Sequence, residues 1–221
     1  MPRRRTTDLY FIRHGETASN INGLLHGLTD VPLNELGLRQ AELIAERLLE
    51  LPGLDQIVSS PLRRALHTAQ AIHRRSGAPL RVHHGLREMN FGAAEGVPFS
   101  EVGVVYPREA ERFLDPSDMC ARFPGGESRG EFFRRVERTV DDIANQYFGQ
   151  HVVVVAHGGF ISAVMAVLLR ESANNWREKP IANCSLTHIE LSSDGPVAHL
   201  VNDAVHLEQL DLTKESVEER V

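Results

Sequence analysis

Two histidines stand where apolar runs end. Arg13-His14-Gly15-Glu16-Thr17 follows Leu9-Tyr10-Phe11-Ile12, and His157 follows the run 152–156. A neutral imidazole is a good nucleophile toward phosphorus, and the planar guanidinium is the side chain best shaped to hold phosphate oxygens. The adjacent Arg-His pair therefore points to phosphoryl transfer to histidine.

The elements that must bring these residues together follow from periodicity. Residues 8–13 form a first buried strand. Leu38, Ala41, Ala45, Leu48 and Leu49 recur at helical spacing, which predicts an amphipathic helix over about 35–50, capped by Asn34 and stopped by Pro52-Gly53. Residues 56–59 make a short strand. Ser60-Pro61 then signals a helix start, with Leu62, Ala65, Leu66, Ala69 and Ile72 as its buried face. A third strand is expected at 80–83. Periodicity fades from 85 to 126, where Gly and Pro recur. That stretch is too long for a plain loop and is expected to be an active-site cover with short helices. Helix returns at 127–147. Residues 151–156, apolar from Val152 onward, read as a strand suited to the middle of a parallel sheet, and a helix follows over 159–169. Segments 186–191 and 196–201 flank the turn signal Asp194-Gly195 and read as a hairpin. The charged stretch 211–221 is expected to be a mobile tail. The expected fold class is α/β, a mostly parallel central sheet with helices on both faces. Ligands in such sheets bind beyond the carboxyl ends of the strands, where His14 and His157 fall.

With 221 residues, 42% of them hydrophobic and 24% charged, the chain is long enough for one sizeable core and is expected to form one domain, 1–221. A net charge of −6 argues against nucleic acid or an anionic membrane as main partner. A chain of that sign can admit a phosphate ester only if positive charge is concentrated in one pocket. Cys120 and Cys184 are the two cysteines, too few for a disulfide framework, so the cytoplasm is the expected compartment. The basic residues 1–5 precede no apolar signal core, and the run after them is too short to span a membrane.

Five further blocks occur in order: Gly27-Leu28-Thr29-Asp30-Val31-Pro32-Leu33; Ser59-Ser60-Pro61-Leu62-Arg63-Arg64-Ala65; Leu86-Arg87-Glu88 leading to Glu95-Gly96; Pro124-Gly125-Gly126-Glu127-Ser128; and Ala156-His157-Gly158-Gly159. Together with the first motif, they resemble the histidine phosphatase superfamily, the branch of cofactor-dependent phosphoglycerate mutase and small phosphomonoesterases. The resemblance runs from residue 8 to about 191. It implies a phosphoglycerate mutase-like fold with a lid at about 98–127, no metal, no cofactor, and a small phosphorylated substrate, with phosphate or sulfate fitting the pocket; a homodimer is a common assembly among relatives. It makes His14 the nucleophile, its other ring nitrogen held by a backbone carbonyl near Gly15. Arg13 and Arg64 become the phosphate clamps. Arg63 competes, but the family pattern sets the working arginine immediately before the alanine. His157 would act as a cation or hydrogen-bond donor, aided by the backbone N–H of Gly158. Glu88 would be the general acid, with Glu16 the alternative. Asn20 and the backbone near Gly27 would contact the ester. His26 stands where the family often has Gln, either touching substrate or serving as a loop residue.

Two departures from the family pattern matter. Ala94 stands where the family often has tryptophan. The segment 98–127 holds three arginines, Arg108, Arg112 and Arg122, against six acids, a poor cradle for a bisphosphate. Ala94 bears on the shape of the pocket wall, not on the chemistry; the charge of the cover and its short length both favour hydrolysis over mutase action. A hydrolytic metal enzyme is a rival from another class, but His83-His84 and the His67/His73 pair lack metal-site spacing. A non-catalytic phospho-ligand module is the fourth reading. Phe99, Tyr106, Phe113 and Phe123 either line the mouth or pack the cover onto the body.

Overall fold

The computed structural model describes residues 6–51, 53–169, 180–208 and 210. The basic residues 1–5, Pro52 of the expected helix stop, and the expected tail 211–221 lie outside these. Among the described residues, six strands form one sheet: β1 (Thr7–Arg13), β2 (Gln56–Ser59), β3 (Leu80–Val82), β4 (His151–Ala156), β5 (Leu186–Ser192) and β6 (Gly195–Asp203). Their spatial order is β3-β2-β4-β1-β5-β6. The first four run parallel, and the β5–β6 hairpin adds two antiparallel strands at the β1 edge. The sheet is thus mixed and mostly parallel.

Alternation along the strands divides the core. Successive strand side chains point to opposite faces. Leu9, Phe11, Val152 and Val154 therefore join one apolar cluster, and Tyr10, Ile12, Val153 and Val155 join another. Helices α2 (Glu35–Arg47) and α3 (Arg63–Ser76) cover the second face through Ile44, Ala45, Ala65, Ala69 and Ile72. Helices α6 (Arg129–Gln146) and α7 (Gly158–Leu168) cover the first through Val136, Val140, Phe160 and Ile161. The chain preceding α2 includes the one-turn helix α1 (Ala18–Ile21); α4 (Val102–Val105) and α5 (Pro107–Leu114) lie in the expected cover.

Two expectations need correction. Leu38 and Leu49 are half-exposed, so the buried stripe of α2 is narrower than the leucines suggested: Ala41, Ile44 and Ala45 carry it, with Leu48 beyond the helix end. Asn34 does cap that helix, its Oδ1 accepting from Gly37 N at 2.7 Å. At the second site Ser60-Pro61 does not open a helix. The first turn of α3 starts at Arg63, whose N–H donates to Asp30 Oδ1 at 2.7 Å. A carboxylate from a distant loop has taken the capping role, and the Ser60 hydroxyl is left for another partner.

The turn after β1 sits unusually close to α2. A Cβ on Gly15 would lie 2.4 Å from Gly37 O, and one on Gly37 would lie 2.1 Å from Glu16 O. Only two facing glycines permit that approach. Phe113 and Phe123 stack at 4.8 Å, and Arg129 donates to the carbonyls of Phe113, Asp115 and Asp118, so the 98–127 segment is tethered to the start of α6.

Because Ile72 is fully buried between α3 and the sheet, Ile72→Ala should lower stability by about 2–5 kcal/mol. Urea unfolding measures it, and a loss below about 1 kcal/mol would contradict this packing.

Candidate active site

Residues Arg13 and Ala156 are register partners on adjacent parallel strands, so His14 and His157 leave the sheet side by side. Their ring centroids are 5.2 Å apart, close to the strand spacing of about 4.8 Å. Ser60 leaves the neighbouring strand on the other side of β4, its N–H donating to Val155 O at 3.0 Å. The carboxyl ends of three adjacent strands thus deliver His14, His157 and Ser60 to one place.

Hydrogen bonds assign both tautomers. His14 Nδ1 lies 2.8 Å from Gly15 O. A carbonyl only accepts, so Nδ1 carries the proton and Nε2 keeps its lone pair. Arg64 Nε donates to His157 Nδ1 at 3.2 Å. That nitrogen is therefore unprotonated, and the His157 proton sits on Nε2, donating to Ser60 Oγ at 2.9 Å. Burial, reinforced by the nearby Arg64 charge, pushes both rings well below the ordinary histidine range. Of the two roles expected for His157, the cationic one does not fit this arrangement.

Arg64 is fully buried in the first turn of α3. Its terminal nitrogens donate to Thr29 O at 2.8 Å and Gly27 O at 2.7 Å, and burial lowers its pKa to about 10. Each terminal nitrogen keeps a second N–H. The carbonyls that hold it are themselves fixed: Glu95 accepts from Leu28 N at 2.8 Å and Thr29 N at 2.7 Å. Arg63 is exposed. Arg13 donates to Ile181 O, while its buried Nε has no hydrogen-bond partner among the described residues.

Glu88 is buried against the start of α7. Its carboxylate accepts from Met89 N at 2.9 Å and Gly159 N at 2.8 Å, yet burial still raises its pKa. A Cβ on residue 159 would stand 2.6 Å from Glu88 Oε1, so the second glycine of the His-Gly-Gly motif makes room for the carboxylate. Arg135 locks the loop behind it, donating to the carbonyls of Gly85, Arg87 and Glu88 and pairing with Glu127 at 2.7 Å. Glu16 is elsewhere, accepting from Asn34 Nδ2 at 2.9 Å.

These groups share one cavity of about 460 Å³, lined by Arg13, His14, Asn20, His26, Arg64, Glu88 and Gly158. His157 lies behind Arg64, and Gly27 contributes its carbonyl to Arg64 instead of lining the cavity. Asn20 Oδ1 is occupied by Thr17 N and Thr17 Oγ1, which leaves its Nδ2 donors for the cavity. His26 donates from Nδ1 to Leu24 O at 3.0 Å, and burial lowers its pKa. Two contributors had no signal in the sequence. Asn183 donates to His14 O at 2.9 Å and Asn20 Oδ1 at 3.3 Å, clamping the turn after β1. The role of Ser60 toward His157 was hidden by its resemblance to a helix cap. Both cysteines are free. Among the described residues no group of three or more His, Cys, Asp or Glu side chains is placed to hold a metal ion.

A polarised cavity with one nucleophilic ring nitrogen, two guanidinium groups and a carboxyl of raised pKa is equipped for group transfer of an anion. The chain belongs to the histidine phosphatase superfamily, branch 1, whose family model matches residues 9–204. It is 31% identical over 205 residues to the protein named "Probable phosphoglycerate mutase GpmB" of Yersinia pestis, covering 90% of this chain and 94% of that one. Among solved structures, phosphoserine phosphatase from Entamoeba histolytica, a His-to-Ala mutant in complex with phosphoserine, superposes with a TM-score of 0.82 at 30% identity, covering 91% of this chain and 99% of that one. A mycobacterial glucosyl-3-phosphoglycerate phosphatase, in complex with vanadate, gives 0.78 at 31% identity, covering 89% and 99%.

The lowered histidines predict a pH effect on stability. Unfolded, these rings titrate near 6.5; folded, lower. Below about 6.5 the unfolded chain takes up protons that the folded chain does not, so stability falls as pH drops. His14→Gln should reduce the fall in urea-unfolding free energy between about pH 7 and 5.5. An unchanged slope would refute the neutral, buried assignment.

Proposed function

We propose that this protein hydrolyses phosphomonoesters of small metabolites through a phosphohistidine at His14, with no metal or other cofactor. The observation that carries the reading is the tautomer of His14. With Nδ1–H bound to Gly15 O, Nε2 is the ring nitrogen left with a free lone pair, and Arg13, whose buried Nε–H has no partner among the described residues, lines the same cavity. A buried guanidinium N–H without an acceptor is costly, and an anionic oxygen is the partner that suits it.

In the first step Nε2 attacks phosphorus in line, the P–O bond to the alcohol breaks, and Glu88 gives its proton to the departing oxygen. The raised pKa of Glu88 supports the protonated form this requires. In the second step water attacks the phosphohistidine, Glu88 takes the water's proton, the P–N bond breaks, and Nε2 regains its lone pair. Arg13, the remaining N–H groups of Arg64, the Gly158 N–H and Asn20 Nδ2 hold the phosphoryl oxygens as charge redistributes. His157 positions Arg64 by accepting its Nε–H. In the same reading the chain is one domain, residues 98–127 cover its site, and it works in the cytoplasm; no helix among the described residues is long and apolar enough to cross a membrane.

The curated relatives named as mutases favour a second reading, phosphoglycerate mutase action. Against it, Arg112 is paired with Asp118 at 2.7 Å and Arg122 with Glu131 at 3.4 Å, so two of the three arginines of the cover already face acids.

Steady-state assays should find phosphatase activity indifferent to chelator, abolished in His14→Ala, and lowered about 10²–10⁴-fold in Glu88→Gln for alkyl esters. Substantial hydrolysis by His14→Ala would overturn the nucleophile. Isomerisation of 3-phosphoglycerate that depends on a bisphosphate primer and outpaces hydrolysis would replace the proposal with the mutase.

A further inference from the structure

The cavity is far larger than a phosphate requires, and its chemistry changes along its length. At one end stand Arg13, His14, Arg64 and Glu88. Beyond them the wall is Leu25, Met89, Phe91, Phe113, Phe123 and Phe132. The whole space of about 460 Å³ lies within the range of roughly 300–1,000 Å³ typical of sites for drug-sized ligands. Room for a sizeable alcohol therefore exists, and that room is apolar.

Charge in this part of the cavity is already committed. Arg129, the one cation among the described lining residues besides Arg13 and Arg64, donates to three backbone carbonyls of the cover. Burial keeps His26 toward its neutral form. Ser162 Oγ is buried, lines the cavity and has no hydrogen-bond partner among the described residues. A hydroxyl suits one neutral polar atom of a ligand; it does not neutralise a carboxylate. A second anionic group on the substrate would thus sit in apolar surroundings with no free cation among the described lining residues, which is strongly unfavourable. The apolar character also continues outward. Phe99 and Leu114 line the cavity at 50% and 57% exposure, and Val104 and Val105 lie exposed nearby in the chain.

Building on the hydrolase reading above, we infer that the physiological substrate is the phosphomonoester of a bulky apolar alcohol, one with no second charge, whose hydrocarbon part lies against Phe91, Phe113 and Phe123. Phosphoserine and phosphoglycerates belong to the disfavoured class. Each methylene drawn from water into such a wall contributes about 0.8 kcal/mol, or roughly a fourfold gain in specificity constant.

Straight-chain alkyl phosphates test this cleanly, because the leaving-group pKa barely changes from ethyl to hexyl. The expected kcat/KM rises about fourfold per methylene, and hexyl phosphate exceeds phosphoserine and 3-phosphoglycerate by at least about tenfold, the effect of 1.4 kcal/mol. Leu114→Lys should narrow that gap by supplying a cation at the mouth. Calorimetric binding of the same alkyl phosphates to the intact protein gives a readout independent of turnover, with affinity rising along the series and a negative heat-capacity change. Hydrolysis with a flat chain-length profile, or with phosphoserine or 3-phosphoglycerate preferred, overturns this inference and leaves the hydrolase reading standing. Chain-length-dependent binding without hydrolysis does the reverse. Binding that ignores chain length overturns the inference whatever the turnover.

Discussion

Two guanidinium groups drawn out of water beside two neutral imidazoles set the terms for everything around them. A buried cation must be surrounded by acceptors, and here most of those acceptors are backbone carbonyls: Ile181 for Arg13, Gly27 and Thr29 for Arg64. Carbonyls do not titrate, so they satisfy the arginines without cancelling the charge that an anionic ligand needs. Burial, reinforced by the same positive field, keeps both histidines toward their neutral form. Position, protonation and charge at this site are one linked problem.

The loops that supply those carbonyls are each pinned from behind. Glu95 grips the backbone at Leu28 and Thr29, Asn183 grips His14, and the Arg135–Glu127 pair grips the loop that carries Glu88. Acidic residues in this neighbourhood divide by environment. Glu95 and Glu127 are tied up in holding backbone and an arginine. Glu88 is pressed into the site at the head of α7, where burial outweighs its two N–H donors. A carboxyl with that placement differs chemically from its neighbours although the sequence writes them with the same letter.

Much of the frame was legible because strands and their ends follow from local pattern. Apolar runs located β1 and β4, and parallel topology then carried His14 and His157 to the same edge. Arg64 was legible through the motif around it. What escaped were contacts between segments distant in the chain. Ser60 has the local signature of a cap, but Asp30 reaches the first turn of α3 from another loop and frees the hydroxyl for His157. Leu38 and Leu49 fit a helical stripe by spacing, yet both remain half-exposed. The phenylalanines of the cover fitted two descriptions, wall and packing, and the structure gives them both: Phe113 and Phe123 are buried in the core cluster and also line the cavity. Apolar periodicity cannot distinguish a core from the inside of a pocket, since both withdraw the same atoms from water.

Arg129 holds the 98–127 segment through main-chain oxygens at Phe113, Asp115 and Asp118. A grip on the main chain is blind to the side chains it passes. The cavity wall along this segment can therefore be rewritten residue by residue while the segment keeps its seat and the strand ends beneath it keep theirs. Selectivity and reactivity can diverge independently in a molecule built this way, so one scaffold is able to exchange its clientele without relearning its chemistry.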